Sequence, residues 1–82
     1  MEKLVGRIIH FFPKISVAVV ELVEDLHTGD EIQISGTCTN FRQVVGSMQS
    51  EHKEIPYAEK GMSVGMKVNF EVKKGDNVYK LQ

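Results

Sequence analysis

From Val64 onward, apolar residues take every second position: Val64, Met66, Val68, Phe70 and Val72, with Gly65, Lys67, Asn69, Glu71 and Lys73 as alternates. Side chains of an extended chain point to opposite faces, so this stretch predicts a strand with one dry and one wet face. Wound into a helix, the same apolar residues would scatter around the circumference and leave no stripe to bury. Leu4–Ile9 reads as a first strand, with Gly6 marking a bulge or close backbone approach. Phe11-Phe12-Pro13-Lys14 breaks it, because Pro13 lacks an amide donor and pushes the preceding residue out of helical geometry. Ile15–Leu22 is a β-branched strand whose parity slips at Val19-Val20, and a bulge there would restore one inward face.

Glu24–Asp30 is read as a turn, with Gly29 supplying a positive φ and Asp30 bonding nearby amides. Glu31–Ser35 alternates again, Gly36–Asn40 has loop composition, and Gln43–Gln49 is a strand with Val44 and Met48 inward. Glu51–Lys60, polar and containing Pro56, is a long connection. Lys74–Asn77 turns the chain into a last strand, Val78–Leu81. Gly29-Asp30-Glu31-Ile32 and Gly75-Asp76-Asn77-Val78 open two strands with one phrase. About six short strands without a helix define an all-β class. Full closure hides the edges of so small a sheet, so the expected architecture is a single domain over residues 1–82, a small closed antiparallel Greek-key barrel.

Composition narrows the function. Eighty-two residues with 41% apolar and 26% charged side chains suit one soluble core. No apolar run is long enough to span a bilayer, and the first seven residues lack the apolar core of a signal peptide. Cys38 is the only cysteine, which excludes an intramolecular disulfide and fits a reducing, cytoplasmic setting. The net charge of −1 is unevenly spread: Glu21, Glu24, Asp25, Asp30 and Glu31 fall between Ile15 and Phe41, and all ten basic residues lie outside that window.

Phe12-Pro13, Val17–Val20, Leu26–Ile32, Val45–Gln49, Ala58–Gly65 and Gly75–Tyr79, taken in order, resemble the second, β-barrel domain of translational GTPases such as elongation factor Tu. In that family an Ala-x-x-Gly-x-x-Val-Gly phrase precedes the long strand and a Gly-Asp-x-aliphatic phrase opens the last. The resemblance implies a translation-factor-like barrel that contacts tRNA or ribosomal RNA. A similar barrel closes the chain of collagenase-like peptidases, whose relatives include RNA-modifying proteins. This chain carries no phosphate loop: Gly61 to Lys67 has the wrong spacing and Val68 stands where a hydroxyl is needed, so no nucleotide is expected.

His10, His27, His52 and Cys38 lack zinc-ligand spacing, and no metal or other cofactor is expected. Neither Cys38 nor the carboxylate pairs Glu24-Asp25 and Asp30-Glu31 has an evident catalytic partner, so the expectation is a binding module without enzymatic activity. One candidate surface is basic: Lys67 and Lys73 on the wet face of the long strand, Arg7 and Lys80 on terminal strands, and Lys14 and Arg42 in neighbouring loops. Phe12 and Phe41 are its aromatic contacts, in the manner of single-stranded RNA sites. The alternative is a protein-interaction surface in which an exposed phenylalanine docks a partner, such as a collagenase-like peptidase or an RNA-modifying enzyme.

Overall fold

Most of the alternating stretches form strands, and the one from Val64 does so only as far as Lys67. A computed structural model of the chain describes residues 2–81. Its strands are β1 (Glu2–Phe12), β2 (Val17–Leu22), β3 (Leu26–His27), β4 (Glu31–Ser35), β5 (Asn40–Val44), β6 (Met48–Ser50), β7 (Lys53–Ile55), β8 (Tyr57–Ala58), β9 (Ser63–Lys67) and β10 (Asn77–Leu81). Eight form one sheet in the order β5-β4-β10-β1-β2-β9-β6-β7, and β3 pairs with β8 in a second. Every pairing is antiparallel, and the terminal strands β1 and β10 lie side by side.

The sheet curls around a core that includes Val5, Ile8, Val20, Leu22, Ile32, Ile34, Met48, Met66 and Val78, all nearly inaccessible to water. It is not a closed barrel of about six strands. β5 and β7 are free ends of the ladder, and no backbone pairing joins them. The reason lies in the stretch with the clearest alternation. It leaves the ladder after Lys67, where Val68 N–H turns to the Ser16 carbonyl (2.9 Å). Val68 and Val72 stay buried, but Phe70 points outward and is 63% exposed. The seam is crossed instead by a side chain. Gln43 of β5 donates to the Lys67 carbonyl (3.0 Å) and accepts from Asn69 N–H (2.8 Å).

Bulges shape β1, not β2. The β1–β2 register shifts between Ile8 and His10, and the β1–β10 register shifts between Leu4 and Gly6. In β2 the inner face is Ala18, Val20 and Leu22 without interruption, so Val17 and Val19 lie on the outer one. The β1 bulge leaves Phe11 against the core and Phe12 outward. Val44 also faces solvent; Val45 takes the inward place, fixed by bonds to the Asp30 carbonyl and Gly29 N–H. The long connection after Gln49 holds β7 and β8, and the Glu24–Asp30 turn contains β3.

One turn is used three times. His27-Thr28-Gly29-Asp30, Glu59-Lys60-Gly61-Met62 and Lys73-Lys74-Gly75-Asp76 each place a glycine at φ between 92° and 97°. In each, the fourth residue's N–H donates to the first residue's carbonyl, at 3.1–3.2 Å. Its side chain also accepts from the first residue's N–H, through Oδ2 of Asp30 (2.9 Å), Sδ of Met62 (3.3 Å) and Oδ2 of Asp76 (2.9 Å). A buried residue, Leu26, Ala58 or Val72, precedes each turn, and a strand follows. Only glycine reaches that φ without a Cβ penalty, which is why the three phrases look alike.

Candidate docking face

Residues directly opposite one another in an antiparallel pair share a face of the sheet. Register therefore assembles the outer surface row by row. Phe12 pairs with Val17, and Val17 with Lys67. One row on, His10 pairs with Val19, Val19 with Gly65, and Gly65 with Gln49. Beyond these, Arg7 pairs with Glu21 and Asn77. The face carries Phe12 at 44% exposure beside Ile15 at 59%, on the turn that leads into β2. His10 supports Phe12 edge-on, with ring centroids 4.4 Å apart. A cavity of ≈ 270 Å³ opens beside them, lined by Ile15, Val17, Ser47, Gln49, Gly65 and Lys67. Gly65 leaves room in its floor, since a Cβ there would already stand 3.3 Å from Val17 Cγ1.

Of the basic residues expected to form one surface, only Lys67 belongs to this row. Arg7 lies on the same face but is paired with Glu21 at 3.8 Å. Lys14 sits in the turn after β1, and Arg42 is on edge strand β5 opposite Gln33. Lys73 is in the loop after β9, 4.0 Å from Glu71, so it does not share a strand face with Lys67. Lys80 lies opposite Lys3 on β1 and is tied to Asp30 at 3.5 Å. Phe41, expected as a surface aromatic, is packed against the core, and its edge contact at 5.0 Å is with the exposed Phe70. Sequence parity assigns Phe70 to the dry face and Ile15 to a strand. The break of β9 and the positive φ of Ser16 (54°) put both into solvent.

A second cavity, also ≈ 270 Å³, is lined by Lys3, Val5, Glu24, Asp25, His27 and Lys80. Its charges are mutually engaged. Lys3 meets Glu24 at 3.5 Å, and Asp25 accepts from Lys60 N–H (2.9 Å) and the Tyr57 hydroxyl (3.2 Å). The Lys60 amide is the main reason the Asp25 carboxyl is held below its ordinary pKa, with the Tyr57 bond acting in the same direction. Tyr57 is pushed up, first by partial desolvation and then by the Asp25 carboxylate. These carboxylates serve backbone amides and turns. No cluster of three or more His, Cys, Asp or Glu side chains suited to a metal ion occurs among the described residues.

The fold is that of a small all-β domain already known as part of a larger protein. It superimposes on the C-terminal domain of the Geobacillus thermoleovorans putative U32 peptidase with a TM-score of 0.91, over 98% of this chain and 93% of that one, at 23% identity. The selenomethionine variant of that domain gives 0.88, over 93% and 96%, also at 23% identity. No protein-family model matches the chain. In sequence it is 47% identical over 79 residues to an uncharacterized protease of Methanocaldococcus jannaschii, covering 95% of this chain and 19% of that protein. It is 33% identical over 78 residues to a collagenase of Porphyromonas gingivalis, covering 93% of this chain and 22% of the collagenase. The chain thus spans about a fifth of the length of the curated relatives it matches.

These matches overturn the resemblance to the second domain of elongation factor Tu, and the RNA-directed role that followed from it loses its basis. Leu26–Ile32, Ala58–Gly65 and Gly75–Tyr79, which suggested it, are the three glycine turns with the strands they open. That chemistry serves any small sheet that must begin a strand sharply.

Proposed function

We propose that this chain is a non-catalytic docking module of a collagenase-like peptidase, held against the peptidase body through the outer face of β1, β2 and β9. The carrying observation is the lopsided coverage: nearly the whole chain matches about a fifth of a protease. A domain this size that folds on its own, as the solved Geobacillus domain does, suits an appended module better than a reaction centre. The exposed Phe12 and Ile15 supply the apolar anchors such an interface needs.

The test uses the M. jannaschii protease with its matched 79-residue segment deleted. Mixed with this chain, it is expected to form a one-to-one complex by sedimentation and calorimetry. Phe12→Ser and Ile15→Ser, each with an unchanged circular dichroism spectrum, should weaken that complex by at least about tenfold. Absence of a complex refutes the docking role. Hydrolysis of gelatin by this chain alone refutes the non-catalytic one.

A further inference from the structure

The cavity beside Phe12 has a definite chemical character. Five of its six lining residues, Ile15, Val17, Ser47, Gln49 and Gly65, are uncharged, and the sixth is Lys67. Among the described residues Lys3, Arg7, Lys73 and Lys80 each have a carboxylate within 4.0 Å, whereas Lys14, Arg42, Lys53, Lys60, Lys67 and Lys74 do not, and of these six Lys67 alone lines the cavity. Two acids share this face by register: Glu21, engaged by Arg7, and Glu54, opposite Gln49 on β7. The notch therefore offers an apolar wall, a floor opened by a glycine, and one cation, Lys67, without an ion pair among the described residues. An isolated cation beside exposed apolar surface complements an apolar side chain followed by a carboxylate.

We infer that this notch seats an apolar–acidic dipeptide on an extended segment of the partner polypeptide. The apolar side chain lies over Gly65 between Ile15 and Val17, and the following carboxylate meets Lys67. Gln49 and Ser47 stand at the opposite wall as donors for the segment's carbonyls. The inference rests on the docking-module reading, because it names the part of the partner that the face selects.

The experiment is an amide chemical-shift titration of the intact chain with two blocked tetrapeptides. In one, leucine is followed by aspartate; in the other, aspartate is replaced by asparagine. Shifts are expected at Ile15, Val17, Gly65 and Lys67, with the asparagine peptide bound about threefold more weakly, the size of an exposed ion pair. Lys67→Gln should make the two peptides equal, and 1 M salt should do the same in the wild type. Equal affinities in the wild type, shifts centred on the Lys3–Lys80 cavity, or no shifts at all overturn the inference. A parallel arm separates it from the broader reading. If Lys67→Glu binds the truncated protease as well as wild type does, the notch assignment falls and the docking role stands. If the aspartate peptide binds and the truncated protease does not, the docking role falls and the notch assignment stands.

Discussion

Replacing Gln43 by Met tests whether one side chain closes the seam that the backbone leaves open. The two residues have similar length and volume, so the change removes hydrogen bonding and leaves packing nearly intact. Gln43 is 7% exposed, and its amide makes two bonds, to the Lys67 carbonyl at 3.0 Å and from Asn69 N–H at 2.8 Å. Each contributes about 1 kcal/mol net, giving a loss of about 2 kcal/mol. The loss approaches about 3 kcal/mol if water does not reach the two orphaned backbone groups. In a domain of this size that corresponds to a fall in Tm of roughly 8–16 °C. Urea denaturation gives the free energy, and amide exchange gives the location: Asn69 N–H should lose protection while Val20 in β2 keeps it relative to the new global stability. A Tm within about 2 °C of wild type, with Asn69 still protected, would show that the seam is held by the apolar anchors Val68 and Val72 alone.

Two further outcomes follow from local geometry. The β6–β7 hairpin turns through Glu51 and His52, both at positive φ (52° and 66°), a conformation that asparagine and glycine adopt at far lower cost. Glu51→Asn combined with His52→Gly should therefore stabilise the chain by about 1 kcal/mol, read as a higher urea midpoint with an unchanged m-value. Tyr57→Phe removes one of the bonds that hold the Asp25 carboxyl down, so a carboxyl-carbon NMR titration should find its pKa moved up toward the ordinary range. Because the native pKa of Asp25 is depressed, its contribution to stability is present above the unfolded pKa and is lost as pH falls through the folded one. The variant should lose less stability on acidification than wild type does.

Burial was more legible in the sequence than connection. The alternation from Val64 to Val72 correctly marks four inward residues out of five, yet the strand ends at Lys67. Period-two spacing reports which side chains face the core; it does not report whether the intervening amides find a ladder or a loop carbonyl. Gln43 shows the limit. Within a run of weak strand character it carries no mark as the residue that bridges β5 to the segment after β9, because its partners lie 24 and 26 positions away. The spacing at Val19-Val20 is not a slip: β2 alternates without a break through Ala18, Val20 and Leu22, and Val17 and Val19 are simply outward. Ala18 is small enough to be overlooked as core, and the bulge of this pair lies on β1, between Ile8 and His10.

The docking face was hidden for a related reason. Phe12, Val17 and Lys67 are far apart in sequence, and what joins them is the register of β1 on β2 and of β2 on β9. That register depends on the β1 bulge, since shifting a strand by one residue exchanges its two faces. Without the bulge, Phe11 would stand outside and Phe12 inside. With it, Phe12 is freed to the surface one pair away from Val17 and two from Lys67, while Phe11 completes the core. The bulge that sends Phe11 inward is thus the same irregularity that gives the outer face an exposed aromatic in the row of Lys67.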